Sequence, residues 1–344
     1  MPRQSCRRCL VLLPLLMIAG CASPAAAPSA SPAATAQPPA AATPGLEPLT
    51  GAQVSVAGNY LPYYAADKLG FFTRHGLQFE LLIADSPTKV VQAIASGSAD
   101  IAWNAPDSSI LAIEQGAPLT MVGATQNSIP YSLIVQPGIR SFAELKGKTF
   151  AVSSLNSGPA ILMRKMFAAN GLGEGDYDFV PVGGTAERFA AIRSGTVTGG
   201  LLLQPEDLRL MSEGFVRLAL ATDYVPRYQW LTLLTRREWA REHSDRVVRA
   251  IRALQDAIRW AYDPQHRAEA IALIEESTRA PHEHAVATYD LYTQLRIWPE
   301  DLAFEDAAMR AVIELMGELG QLPQPLPEPA KYIDTTYLAR AAQR

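Results

Sequence analysis

Four short segments of this 344-residue chain gather side chains suited to holding a small polar molecule. Gly58-Asn59-Tyr60-Leu61-Pro62-Tyr63-Tyr64 sets three phenols and a carboxamide around a helix start that Pro62 marks. Trp103-Asn104-Ala105-Pro106-Asp107 again places an aromatic ring and an amide ahead of a proline-opened helix. In Ser153-Ser154-Leu155-Asn156-Ser157-Gly158-Pro159, small residues before a helix leave backbone N–H groups free for a carboxylate, sulfonate or other small anion. The fourth segment is Leu203-Gln204-Pro205-Glu206-Asp207, and Asp223 adds a further acid. The first three carry no Lys or Arg, which argues against a polyphosphate. Each group also has a purely structural use. Tyrosines beside a proline can close a core, Ser and Asn cap helices, and Trp103 can pack.

Catalytic patterns are weaker. Ser86-Pro87-Thr88-Lys89 fits S-x-x-K, but neither S-D-N nor K-T-G accompanies it. No G-x-S-x-G occurs, and no G-x-G-x-x-G opens a helix after a strand. His282-Glu283-His284 at a helix start sends its two rings to different faces and reads as surface. No metal and no cofactor is expected.

The elements that must position these segments alternate. Apolar runs at 53–57, 80–83, 100–103, 119–124 and 131–135 read as strands, with helices over 62–75, 88–96 and 106–115 between them. A second cycle has strands at 149–152, 179–182 and 200–203 and helices over 159–170 and 185–193. This β-α order predicts an α/β fold of largely parallel sheets with helices on both faces. In such sheets ligands bind beyond the carboxyl ends of strands, which is where the four segments fall. After Arg236 the chain turns helical, and Arg246, Arg249, Arg252 and Arg259 read as a solvated stripe off the apolar face of Val247, Ile251, Leu254 and Ile258.

An internal echo refines this. Ala93-Ile94-Ala95-Ser96-Gly97 returns as Ala191-Ile192-Arg193-Ser194-Gly195, and Gly116 and Gly214 end the helices that follow. The repeat predicts two lobes of like architecture, against the alternative of one continuous sheet with recurrent helix stops.

Residues 1–49 stand apart. Arg3, Arg7 and Arg8 precede an eleven-residue apolar run from Cys9 to Ala19, too short to span the roughly 30 Å of a bilayer core. It suits a signal peptide over 1–20. The stretch Leu16-Met17-Ile18-Ala19-Gly20-Cys21 resembles a bacterial lipoprotein box, which implies lipidation at Cys21. Residues 22–44 are Ala and Pro with a few Ser, Thr and Gln and no charge, so 21–49 reads as a tether. Cys6 and Cys9 would leave with the signal, so the mature chain has no second cysteine for a disulfide or thiolate metal site. Its net charge would pass from −4 to −7, which excludes nucleic acid as a partner class and leaves the lipid as the membrane contact.

Tyr64-Ala65-Ala66-Asp67-Lys68-Leu69-Gly70-Phe71-Phe72 through Leu77, the segment Ala93–Ala102 and the segment Leu145–Val152 resemble the solute-binding proteins of ABC importers. The class is the one handling nitrate, sulfonates, taurine and thiamine-type pyrimidines. The resemblance implies a two-lobed periplasmic binding protein fold of type II with two crossing segments, near 136–141 and 224–229. Lobe 1 would take 51–136 with 230–344, and lobe 2 would take 137–229. It implies a monomeric, lipid-anchored receptor on the extracytoplasmic face. This receptor would close on a small ligand and deliver it to an ABC permease. A planar nitrogen heterocycle such as a thiamine-precursor pyrimidine, stacked on Tyr60, Tyr63 or Trp103, is favoured over a sulfonate or nitrate on the Ser153–Gly158 turn. Pyrimidine synthases and menaquinone-pathway enzymes share the fold, but the synthase pattern has a cysteine-rich segment that this chain lacks. A ligand-sensing role is a further alternative.

Overall fold

The structure, a computed structural model, describes residues 45–84, 86–155 and 157–343. The signal segment, Cys21, the tether up to residue 44 and Asn156 lie outside the described residues. In chain order the strands are β1 (Glu47–Gln53), β2 (Leu77–Ile83), β3 (Ile101–Asn104), β4 (Leu119–Gln126) and β5 (Ser132–Val135). They continue as β6 (Lys148–Val152), β7 (Tyr177–Pro181), β8 (Gly199–Leu202), β9 (Val216–Leu220) and β10 (Leu231–Arg236). Two five-stranded sheets result, ordered β2-β1-β3-β10-β4 and β7-β6-β8-β5-β9. In each, one strand runs against the rest: β10 pairs antiparallel with β3 and β4, and β5 with β8 and β9.

The two sheets therefore share one topology, and each receives its antiparallel strand directly after the chain crosses from the other. The repeated pentapeptide sits at matching places. Gly97 follows the helix Pro87–Ser96 with φ 84°, and Gly195 follows the helix Thr185–Arg193 with φ 75°. Both are left-handed positions where a Cβ is strained. The single-sheet alternative is overturned.

Three boundaries need correction. The strand Ser132–Val135, expected in lobe 1, belongs to the second sheet, so the first crossing is 127–131 rather than 136–141. An apolar run reads the same whichever sheet it joins, and Gly138 marks a turn but not a change of lobe. The tether was expected to reach residue 49, yet β1 begins at Glu47, whose carboxylate pairs with Arg246 at 3.1 Å and with Arg249. Those arginines are accordingly no solvated stripe: with Arg252, which donates to the carbonyls of Ala341 and Arg340, they fasten both ends of the folded chain to the helix Ser244–Tyr262. The helix expected over 62–75 breaks into Leu61–Lys68 and Phe71–Arg74 at Gly70, whose φ is 74°.

The C-terminal helices cover the first sheet. Val247, Ile251, Leu254 and Ile258 pack with Leu61, Leu77 and Trp103 on one face. Met309, Val312 and Met316 of the helix Asp306–Glu318 pack with Ala52, Ala102 and Leu234 on the other. No helix among the described residues is long and apolar enough to cross a membrane.

Candidate ligand-binding cleft

The carboxyl ends of β1, β3, β6 and β8 carry the four segments, and the lobes meet there. The backbone carbonyl of Gln204, in lobe 2, lies 3.5 Å from the Tyr292 hydroxyl of lobe 1. It is also 3.6 Å from where a Cβ on Gly58 would stand. The start of the helix Pro106–Glu114 faces the start of the helix Gly158–Ala169, with Asp107 Oδ2 at 3.9 Å from a Cβ position on Gly158.

Two of the expected aromatic contacts are core. Trp103 is wholly buried, and its ring stacks on Tyr63 with centroids 4.5 Å apart and planes 21° apart. Phe79 closes another side at 5.8 Å. Strand alternation explains this: Trp103 shares with Ile101 the face covered by helices, so neither face of its indole is free for a ligand. Tyr60 is buried beside Tyr63 and Tyr64 at the start of the helix Leu61–Lys68. Burial pushes its ionisation far up, reinforced by the neighbouring phenols of Tyr64, Tyr63 and Tyr131. Tyr131 and Tyr228 belong to the two crossing segments and were missed, because a tyrosine within a crossing carries no turn or capping signal. Burial pushes both up, with Arg188 drawing Tyr131 back and Asp107 raising Tyr228 further.

The amides form a consistent set. Asn59 donates from Nδ2 to Gln126 Oε1 at 3.2 Å, and its backbone carbonyl receives Gln126 Nε2 at 2.8 Å and Trp298 Nε1 at 2.9 Å. Asn104 donates from Nδ2 to the Ser108 and Ser109 hydroxyls at 3.0 and 3.2 Å. Gln204 donates from Nε2 to the Pro130 carbonyl at 3.2 Å and to Asp207 Oδ2 at 2.7 Å. In all three the NH2 group is engaged, and the side-chain oxygen is buried without a protein partner. A buried acceptor of this kind costs about 1–3 kcal/mol until a donor reaches it. Asp107 adds a fourth acceptor, and burial pushes its carboxyl above the usual carboxylate range.

The hydroxyl turn is built differently from expectation. Ser157 donates to the Ser154 carbonyl at 2.8 Å and closes the turn, rather than capping the helix Gly158–Ala169. Ser154 is exposed. Ser153 accepts a 2.6 Å bond from Arg188 Nη1. Arg188 also donates to the carbonyls of Leu201 and Gly183 and to the Thr185 hydroxyl. The turn therefore has a guanidinium behind it, delivered from the helix Thr185–Arg193. The signal in the sequence was position: Arg188 lies four residues before Ile192 and shares its buried helical face.

Asp223 stands apart from this group. It is exposed, and its Oδ2 accepts from Leu220 N at 3.4 Å to close a short turn. It borders a cavity of about 810 Å³ between the crossings and the loop 295–301, a space that none of the other expected contacts lines. The structure therefore does not bring it together with the other expected contacts. His282 and His284 do diverge, but His284 is buried rather than on the surface.

This fold, two like lobes joined by two crossings with polar groups at facing strand ends, is that of solute-binding proteins. The ligand-binding component of an ABC-type import system from Staphylococcus aureus superposes with a TM-score of 0.73. It shares 13% identity, with 87% of this chain and 100% of that one covered. The chain belongs to the NMT1/THI5 like family, whose sequence model matches residues 57–268. A Schizosaccharomyces pombe protein named 4-amino-5-hydroxymethyl-2-methylpyrimidine phosphate synthase is 27% identical over 144 residues, 41% of this chain and 40% of that one. The Bacillus subtilis binding protein YtlA is 21% identical over 286 residues, 80% of this chain and 84% of that one. The chain thus spans about two fifths of the length of the synthases it matches.

Proposed function

We propose that the protein is an extracytoplasmic, lipid-anchored receptor of an ABC importer. It closes on a small flat heterocycle bearing amino groups, of the thiamine-precursor pyrimidine type, and hands it to a membrane permease. The observation that carries the ligand class is the sign of the unsatisfied amide groups at the strand ends; Trp103 Nε1 and Trp230 Nε1 are buried donors without a protein partner, but they sit on packed rings. Asn59, Asn104 and Gln204 each present a buried oxygen whose own NH2 is already engaged, and Asp107 has no cationic partner among the described residues. Acceptors select a ligand that donates, and an aminopyrimidine donates N–H groups from the edge of a ring that can lie on Tyr60. A sulfonate or nitrate only accepts and would stand opposite Asp107. Export and anchoring rest on the arginine-flanked apolar run and Cys21. Binding is favoured over synthase chemistry because the chain has no cysteine beyond Cys21.

One observation favours a second ligand reading: the Arg188 guanidinium behind Ser153 would suit a small anion on the Ser153–Gly158 turn. A thermal-shift comparison separates the two. With 4-amino-5-hydroxymethyl-2-methylpyrimidine at a hundred times its dissociation constant, stability should rise by about 2.7 kcal/mol, while methanesulfonate leaves it unchanged. A rise with methanesulfonate alone would overturn the heterocycle reading, and turnover of the pyrimidine would overturn the receptor reading.

A further inference from the structure

We propose that Asp207, which no ligand would touch, sets the hydrogen-bonding polarity of the cleft by fixing the orientation of the Gln204 amide. The proposal rests on the receptor reading above. Gln204 Nε2 donates to the Pro130 carbonyl at 3.2 Å, the Ser132 hydroxyl at 3.2 Å and Asp207 Oδ2 at 2.7 Å. A carbonyl and a carboxylate can only accept, so the NH2 end must face them and the oxygen must face away. Asp207 is fully buried and acceptor-only in an ion pair with Arg217 Nη2 at 2.6 Å. Ser132 spends its own proton on the same Oδ2, at 2.6 Å, and so can only accept from Gln204.

The consequence reaches the cleft. Gln204 stands where lobe 2 meets Tyr292 of lobe 1, and its Oε1 is buried with no protein partner. With Asp207, Ser132 and the Pro130 carbonyl all accepting, Gln204 offers the ligand an acceptor and not a donor. An asparagine at 207 keeps its oxygen toward Arg217 as long as that donor is present; with Arg217 also removed its NH2 can turn toward Gln204 Oε1, and only the Pro130 carbonyl then opposes an amide that presents its own NH2 to the ligand. Asp207 is thus a positioning residue whose loss changes which ligand edge is accepted.

The test measures the affinities of the full chain for two probes, 4-amino-5-hydroxymethyl-2-methylpyrimidine and its 4-oxo counterpart, in which the exocyclic donor becomes an acceptor and the adjacent ring nitrogen becomes a donor. Asp207→Asn combined with Arg217→Met, which leaves no buried unpaired charge, should lower the amino-to-oxo affinity ratio by about tenfold or more. Asp207→Glu should keep the wild-type ratio. A merely structural role would weaken both probes together and leave the ratio intact. Asp207→Asn alone leaves Arg217 to hold the asparagine oxygen in place and should lower the ratio less than the double variant. An unchanged ratio in a folded double variant overturns the proposal alone. Failure of the wild type to bind either probe overturns the aminopyrimidine reading, and this proposal with it.

Discussion

Arg188 and Ser153 are joined by a 2.6 Å bond that runs from a fully buried guanidinium to the turn opening the helix Gly158–Ala169. No carboxylate pairs with Arg188 among the described residues; two carbonyls and two hydroxyls take up its N–H groups instead. The charge therefore holds β6, β8 and the loop at Gly183 in one arrangement, and it sets a positive potential under the cleft floor.

Arg188→Met should leave those carbonyls and hydroxyls without a donor and destabilise the protein by about 2–4 kcal/mol. Arg188→Lys should rescue little, because one ammonium cannot span the four acceptors that the planar fork reaches. Denaturant midpoints of the two variants check this. A lysine variant as stable as the wild type would show that the fork geometry is unimportant.

Asp107 should behave in the opposite sense. Burial raises its folded-state ionisation above that of the unfolded chain. Any stability from this group is therefore full at low pH and lost as the pH climbs through the raised value. At neutral pH Asp107→Asn should leave the melting temperature unchanged or a few degrees higher, while aminopyrimidine affinity falls about tenfold. The wild type should also lose that ligand on acidification, with a midpoint above the ordinary carboxylate range. Titration calorimetry between pH 4 and 8 checks the sign, and affinity flat across that range would remove Asp107 from the site.

Trp103 separates core from cleft. Its ring is consumed by Tyr63 on one face and edged by Phe79, so Trp103→Ala should cost about 3–5 kcal/mol of stability. Trp103→Phe should cost less, and the folded Phe variant should bind ligand within about threefold of the wild type. A large selective loss of aminopyrimidine affinity in the Phe variant would restore the indole as a ligand platform.

Much of this architecture was legible before any coordinates. Gly97 and Gly195 announced two equivalent helix ends because a left-handed stop is written in a single residue. The cleft amides were legible for a similar reason: Asn59, Asn104 and Gln204 each stand where a strand gives way to a helix. What stayed hidden depends on partners distant in sequence. Ser132–Val135 reads as a strand without saying which sheet completes it. Trp103 reads equally as a ligand platform or as packing until Tyr63 is seen stacked on it. Arg188 and Ser153 are 35 residues apart, and nothing local to either predicts their bond.

The hinge carries the last prediction. Glu305, ahead of the helix Asp306–Glu318, receives Asn127 Nδ2 on one oxygen and Arg227 Nη1 on the other, each at 2.8 Å. Asn127 lies on the first crossing and Arg227 on the second, so one carboxylate ties both connections to lobe 1. Arg227 is mostly exposed, and its ion pair should contribute under about 1 kcal/mol. The Asn127 bond is better shielded and survives in Glu305→Gln, whose side-chain oxygen still accepts. Glu305→Ala loses both ties, so the crossings should bend more freely and the open arrangement should gain population. Ligand affinity should then drop by the fraction of molecules no longer closed, about three- to tenfold, with the melting temperature little changed. Small-angle scattering of the ligand-free protein should show a larger radius of gyration for Glu305→Ala than for Glu305→Gln. Equal radii and equal affinities in the two variants would mean that the hinge is governed elsewhere.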